Sequence, residues 1–205
     1  MKVLAIGAHP DDIELSMGGT IVHHVRKGDD VIAAIVSNGE KIGNTLTRVE
    51  ECKKALKLLG VKEIHFFDLP DTKIKEGPET IQKVENVLAL HKIDRVYSHH
   101  FLDSHQDHRN TSKAVISACR NINQVLFFET PSSELDFTPN FFIDITPFLD
   151  IKIKALKTYQ SLLNDKKKNY RYLEIDAIVG GAFFRGYQIG VKYAESFKVF
   201  KFLEF

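Results

Sequence analysis

The chain has 205 residues, of which 43% are hydrophobic and 27% charged. This is ordinary globular usage at a length that buries roughly 70% of the unfolded surface in one domain, without a disulfide or a structural metal. A formal net charge of +1 argues against electrostatic capture of nucleic acid or of an anionic membrane as the main activity. No apolar run approaches the ~20 residues of a membrane span, and Met1-Lys2-Val3-Leu4 meets Pro10 and Asp11 too soon for a signal-peptide core. Cys52 and Cys119 lack the spacing of a zinc or redox motif, so we expect a cytoplasmic protein with two reduced, buried thiols.

Strand-like and helix-like segments alternate along most of the chain, the pattern of βαβ units and a mostly parallel sheet. A strand over 3–7 leads to a helix over 15–26, and Gly28-Asp29-Asp30 opens a strand over 31–36. Residues 45–59 read as a helix with Val49, Cys52, Ala55, Leu56 and Leu59 on one face and Gly60 as its stop. A strand over 64–67, a loop from Asp68 to Asp71, a helix over 79–90, a strand over 95–98 and a helix over 106–118 follow. After a strand over 125–128 the alternation weakens. Residues 141–145 look extended, 151–162 helical and 165–168 a polar turn, with Lys166-Lys167-Lys168 as solvated surface. The aromatic tail from 177 is a helix or loop before a closing strand over 196–200. The expected fold is a single-domain (1–205), Rossmann-like, three-layer α/β architecture with ligands at the carboxyl ends of the strands.

The most informative segment is Ala8-His9-Pro10-Asp11-Asp12-Ile13-Glu14, which directly follows the first strand and precedes Gly18-Gly19-Thr20. His9 and Asp12, three apart across a proline turn, can point at one metal ion and leave Asp11 beside it as a base. His105-Gln106-Asp107-His108 follows the strand over 95–98 and offers two more imidazoles around a carboxylate. His9, Asp12 and one histidine of the second cluster make the three His/carboxylate ligands of a catalytic zinc site, with zinc the first choice and other first-row divalent metals compatible. Asp107 is suited to orient His105. Taken singly, Asp11-Asp12 and His105 with Asp107 are also what helix N-caps use.

These residues resemble the LmbE-like or PIG-L superfamily of zinc-dependent de-N-acetylases. The resemblance rests on His9-Pro10-Asp11-Asp12-Ile13-Glu14, Gly18-Gly19 and His105-Gln106-Asp107-His108, supported by Arg48-x-x-Glu51, Leu69-Pro70-Asp71, Arg185-Gly186 and Tyr193-Ala194-Glu195. It implies that His9, Asp12 and His108 bind one zinc, that Asp11 is the general base, and that His105 assists the oxyanion or the leaving group; on physical grounds a cationic His105 can stabilise the oxygen charge. It also implies an amino-sugar conjugate of GlcNAc type as substrate and a homo-oligomer, hexamer or trimer. Arg48 resembles a substrate-binding arginine, against the competing reading of a surface salt bridge to Glu50 or Glu51. Asp71 reads as a sugar-hydroxyl acceptor or a turn residue, and Tyr193 as an oxyanion donor or a packed aromatic. Glu14 reads as a support of the site from the first helix.

His99 and His100 are assigned structural roles, and His23, His24, His65 and His91 read as ordinary helix or strand histidines. Loops over 40–44, 71–77 and 131–140 are the expected selectors of substrate. Two other readings are weaker. Asp103-x-His105-x-Asp107-His108 departs from the metallo-β-lactamase signature at its first histidine, and Gly7-Ala8-His9 lacks the second glycine of a dinucleotide-binding turn. Two alternatives to sugar deacetylation remain: a non-catalytic metal- or sugar-binding protein on this scaffold, and a metallohydrolase of another acyl amide.

Overall fold

The computed structural model describes residues 1–164 and 173–204. Its centre is a seven-stranded sheet in the order β3-β2-β1-β4-β5-β7-β6, built from β1 (Lys2–Gly7), β2 (Asp30–Ser37), β3 (Glu63–Leu69), β4 (Arg95–His99), β5 (Gln124–Phe128), β6 (Phe141–Asp144) and β7 (Ala194–Phe202). The first five strands pair in parallel, and β7 runs antiparallel to both β5 and β6. The chain builds outward from β1 to β3 and then returns to the other side of β1 with β4. The sheet therefore has its topological switch point between β1 and β4, where such folds open a crevice at the strand carboxyl ends.

Side-chain alternation along the strands divides the core into two layers. Val3 and Ala5 of β1 with Val31, Ala33 and Ile35 of β2 face α1 (Asp12–Arg26), α2 (Thr45–Leu59) and α5 (Leu149–Leu156). Leu4 and Ile6 with Ile32, Ala34 and Val36 face α3 (Pro78–His91) and α4 (Gln106–Ala118). Near-continuous apolar strands are what burial on both faces requires. Cys52 and Cys119 are buried free thiols, and among the described residues no helix is long and apolar enough to cross a membrane.

Most limits agree with the sequence reading to within a residue or two, and the larger differences lie in α1, β3, the segment over 151–162 and the tail. Helix α1 begins at Asp12 rather than at residue 15 and is broken at Met17, whose φ of −141° is not helical. Just past the break the Gly19 and Thr20 amides both donate to the Glu195 carboxylate, at 2.9 and 2.6 Å. Lys152 donates to the same carboxylate at 2.6 Å, so strand β7 caps the second half of the first helix through a buried ion pair. β3 extends through Asp68 and Leu69, which the sequence placed in a loop. The helix expected over 151–162 is split into α5 and α6 (Gln160–Leu163) around Tyr159, whose buried hydroxyl donates to Glu14 at 2.7 Å. In the tail, α7 (Ile175–Ile189) precedes β7; Phe197 is core, while Phe183, Phe184 and Tyr187 are exposed. The expected turn at 165–168 with its lysine run, and Phe205, lie outside the described residues.

Gly19 owes its identity to packing: a Cβ there stands 2.6 Å from Ile145 Cγ2. Gly19→Ala is expected to destabilise the protein by about 1–3 kcal/mol through overpacking, read as a lower urea midpoint at unchanged m-value.

Candidate active site

The turn after β1 is built around an unusual backbone. Asp11, the N-cap of α1, has φ 101° in the left-handed region, where a non-glycine residue is strained. The conformation separates two adjacent carboxylates. Asp12 folds back, its Oδ2 accepting the His9 amide at 2.7 Å, while Asp11 lines the pocket beside it. Arg48, from α2 and fully buried, holds the turn. It donates to Pro10 O at 2.7 Å, to Asp11 Oδ2 at 3.3 Å and to Gly39 O at 3.1 Å, tying the loops after β1 and β2 together. The surface salt bridge offered as the alternative for Arg48 is thereby replaced by an internal one.

The second segment enters from the loop after β4. His105 is the N-cap of α4, and its Nδ1 accepts the Asp107 amide at 3.2 Å. In the neutral ring this leaves the proton on Nε2. His108 lies one turn on, with Nδ1 3.0 Å from Asp103 Oδ2 and Nε2 3.3 Å from Asp12 Oδ1. Thr130 Oγ1 donates to the same Asp103 oxygen at 2.6 Å. His9 places Nε2 3.1 Å from Asp107 Oδ2 and 3.3 Å from Asp71 Oδ1, with Nδ1 3.6 Å from Asp12 Oδ2. His99 lies beneath, stacked on His108 at 3.9 Å and accepting the Ala8 amide at 2.9 Å.

His9, Asp11, Asp12, Arg48, Asp71, His105 and His108 line one cleft of about 280 Å³ with Leu15, Ile42, Thr130, Pro131 and Ser132. Donor atoms close to within 4.8 Å in the groups His9-His105-His108 and Asp12-His99-His108, which share His108. The ligand triad expected from the sequence straddles these two groups.

Charge is concentrated here. Burial disfavours a proton on His108, but the Asp12 carboxylate and hydrogen bonds to Asp103 and Asp12 outweigh it and raise the ring to about 9. Burial likewise opposes charge on His9, yet hydrogen bonds to Asp107, Asp12 and Asp71 lift it well above its ordinary value. Asp12 goes the other way: the His108 and His99 rings overcome burial and hold it well below the usual carboxylate range. Burial raises Asp11 to about 7, against the pull of Arg48. Asp11, Asp12, Asp71, Asp103 and Asp107 thus surround imidazoles that must supply positive charge. Protons on His9 and His108 meet that demand, and so does a divalent cation on the same His/carboxylate atoms, so the donor set fits a metal.

The chain matches the profile of the PIG-L family, described as GlcNAc-PI de-N-acetylase, over residues 4–119, a span that contains both clusters. The chain belongs to this family. It is 35% identical over 167 residues to the uncharacterized deacetylase YaiS of Escherichia coli, covering 78% of this chain and 90% of that protein. Among solved structures, the N,N′-diacetylchitobiose deacetylase of Pyrococcus horikoshii superposes with a TM-score of 0.84 at 26% identity, over 97% of this chain and 83% of that one. The fold also carries other chemistry: the 4-carboxy-2-hydroxymuconate hydratase GalB of Pseudomonas putida superposes with a TM-score of 0.81 at 22% identity, over 100% and 97%. Fold alone therefore does not choose the reaction within this PIG-L scaffold, and the site must.

One position expected in the PIG-L site lies elsewhere. Tyr193 does not line the cleft; its ring packs against Phe183 at 6.3 Å, and its backbone bonds to Ile145 and Thr146. Glu14 is fully buried on α1, two residues beyond Asp12 and bonded to Tyr159; burial raises it to about 8, and the Asp11 and Asp12 carboxylates add to the rise. Asp107 serves His9 and the Thr72 amide, at 2.7 Å to the latter, rather than the His105 ring. Burial and the neighbouring His108 and His9 rings lower His105 below its ordinary value, which works against the cationic form expected for it. Asp103 and Ser132 were missed as partners of His108, and Thr130 as a donor to Asp103; a carboxylate five residues before the helix histidine was the available signal for the first. Asp103→Asn is expected to weaken zinc binding about 10–100-fold while the fold is retained, measured by zinc titration with circular dichroism as control.

Proposed function

We propose that the protein is a zinc-dependent N-deacetylase that hydrolyses the acetamide of an amino-sugar conjugate of GlcNAc type, giving acetate and a free amine. The observation that carries this reading is the left-handed Asp11, whose carboxylate shares one cleft with His9, Asp12, His108 and His105. When held by His9, Asp12 and His108, zinc supplies Lewis-acid polarisation and lowers the pKa of water.

Asp11 accepts the proton of the attacking water as the new C–O bond forms and the carbonyl electron pair moves to oxygen. His105 donates Nε2–H to the developing oxyanion. Because Nδ1 of that ring is taken up by the Asp107 amide, a neutral His105 has a hydrogen bond to offer but no spare proton to give away. Asp11 therefore returns its proton to the nitrogen as the C–N bond breaks. Arg48 positions Asp11 through the turn carbonyls. Asp71 lines the cleft and suits a sugar hydroxyl. Leu15, Thr130 and Pro131 also border an adjoining cleft of about 380 Å³, with Ile178, Phe184 and the Arg185–Glu129 pair on its walls, which gives room for the rest of a conjugate.

The cytoplasmic location, the single domain and the trimeric or hexameric assembly belong to this reading. They are supported by cysteine usage, chain length and family resemblance.

Asp11→Ala is expected to keep about one zinc per chain and lose at least ~10²-fold in turnover, whereas His9→Ala and His108→Ala lose zinc affinity as well. Acetate release from GlcNAc and diacetylchitobiose, with zinc content on the same samples, measures both. Full activity in Asp11→Ala rejects the mechanism. Bound zinc with no acetate from any conjugate moves the assignment to another acyl substrate or to a binding role. Arg48→Lys is expected to lower kcat more than it raises KM; the reverse pattern makes Arg48 a substrate ligand.

A further inference from the structure

A second convergence of metal-ligating side chains lies at the far end of the sheet. Glu63 and His65 are two apart on the edge strand β3, so their side chains share one face. His91 is the last residue of α3, which brings its ring back to the start of that strand. His65 Nε2 stands 3.0 Å from His91 Nε2 and 3.1 Å from Glu63 Oε1, and His91 Nε2 is 3.6 Å from the same oxygen. Three potential ligand atoms thus form a closed triangle. Tetrahedral zinc with bonds of ~2.0–2.1 Å sets its ligand atoms about 3.3 Å apart, and the three edges fall on either side of that value.

A His₂Glu set with an exposed fourth direction is a zinc-type donor set and unsuited to calcium or magnesium, which prefer all-oxygen shells. The two rings are partly covered, with side-chain exposures of 22% and 14%, which limits the motion lost on binding. Position matters too. The catalytic cleft opens at the carboxyl ends of β1 and β4, whereas this triangle is at the amino end of β3.

We propose that Glu63, His65 and His91 form a second zinc site, separate from the catalytic cleft, that fastens the edge strand to α3. It takes one Zn²⁺ per chain through the two Nε2 atoms and a Glu63 oxygen, with water completing the shell. Occupancy stabilises the folded state by mass action, because the unfolded chain does not hold the three ligands together.

Zinc binding to the full chain by equilibrium dialysis, together with thermal melts at rising Zn²⁺, tests this. Wild type is expected to bind two Zn²⁺ per chain, and His9→Ala/His108→Ala one. Adding His65→Gln and His91→Gln to that background should weaken the remaining site at least about 100-fold and abolish the zinc-dependent rise in Tm. His65→Gln/His91→Gln alone should keep one zinc and full acetate release. Glu63→Gln, at an exposed strand start, serves as a second variant should the histidine pair compromise folding. A cleft variant that binds no zinc, or binding that survives both the histidine and Glu63 substitutions, overturns the proposal. Magnesium is the control and should leave Tm unchanged.

Discussion

Everything at the cleft depends on how one buried guanidinium is placed among carboxylates. Arg48 bonds to the carbonyls of Pro10 and Gly39 and to Asp11, so the turn after β1 cannot relax without disturbing the loop after β2. A buried cation is costly unless it is paired and hydrogen-bonded, and here its partners include the strained turn itself. The left-handed Asp11 is the local expression of that arrangement. Strain of this kind persists only where the surroundings over-determine it. The result is two neighbouring carboxylates with different duties, Asp12 turned inward toward histidines and Asp11 turned toward the cleft.

The histidines are ordered by the same logic of paired partners. Asp103 fixes the Nδ1 side of His108 and so directs Nε2 at Asp12, while an α4 amide fixes His105. Which nitrogen carries the proton thus follows from hydrogen bonds outside the cleft. The two histidines of the second cluster, three apart in sequence, acquire opposite properties. His108 is surrounded by anions and favours charge, and His105, at a helix N-terminus beside other imidazoles, disfavours it.

Much of this was legible in the chain because local rules and the fold agree there. The limits of α2 and α4 coincide with the reading from periodicity, since Asn44 caps one start and Gly60 closes the same helix in a left-handed conformation. The switch-point position of the two clusters was also readable, because each follows an apolar run that becomes a buried strand. What stayed hidden was tertiary. The start of α1 is masked by the backbone of Asp11, and the Gly19 amide just past the Met17 break bonds to a carboxylate 176 residues further along the chain. Periodicity over 151–162 gave no sign that Tyr159 turns inward to Glu14. The partner of Asp107 was misread because His105 sits at a cap, where its ring meets an amide before it meets a carboxylate. Tyr193 shares the edge of the cleft in sequence motif but not in space.

The cap on α1 bears on the order of assembly. The profile match ends at residue 119, yet the helix that carries Asp12 is completed by Glu195 and Lys152 from beyond that span. Contacts so distant along the chain form late, since loop closure must precede them. The first helix reaches its final hydrogen bonding only when the Gly19 and Thr20 amides exchange water for the Glu195 carboxylate that β7 carries. The completed first helix therefore depends on β7, a strand that follows every cleft-lining residue in the chain.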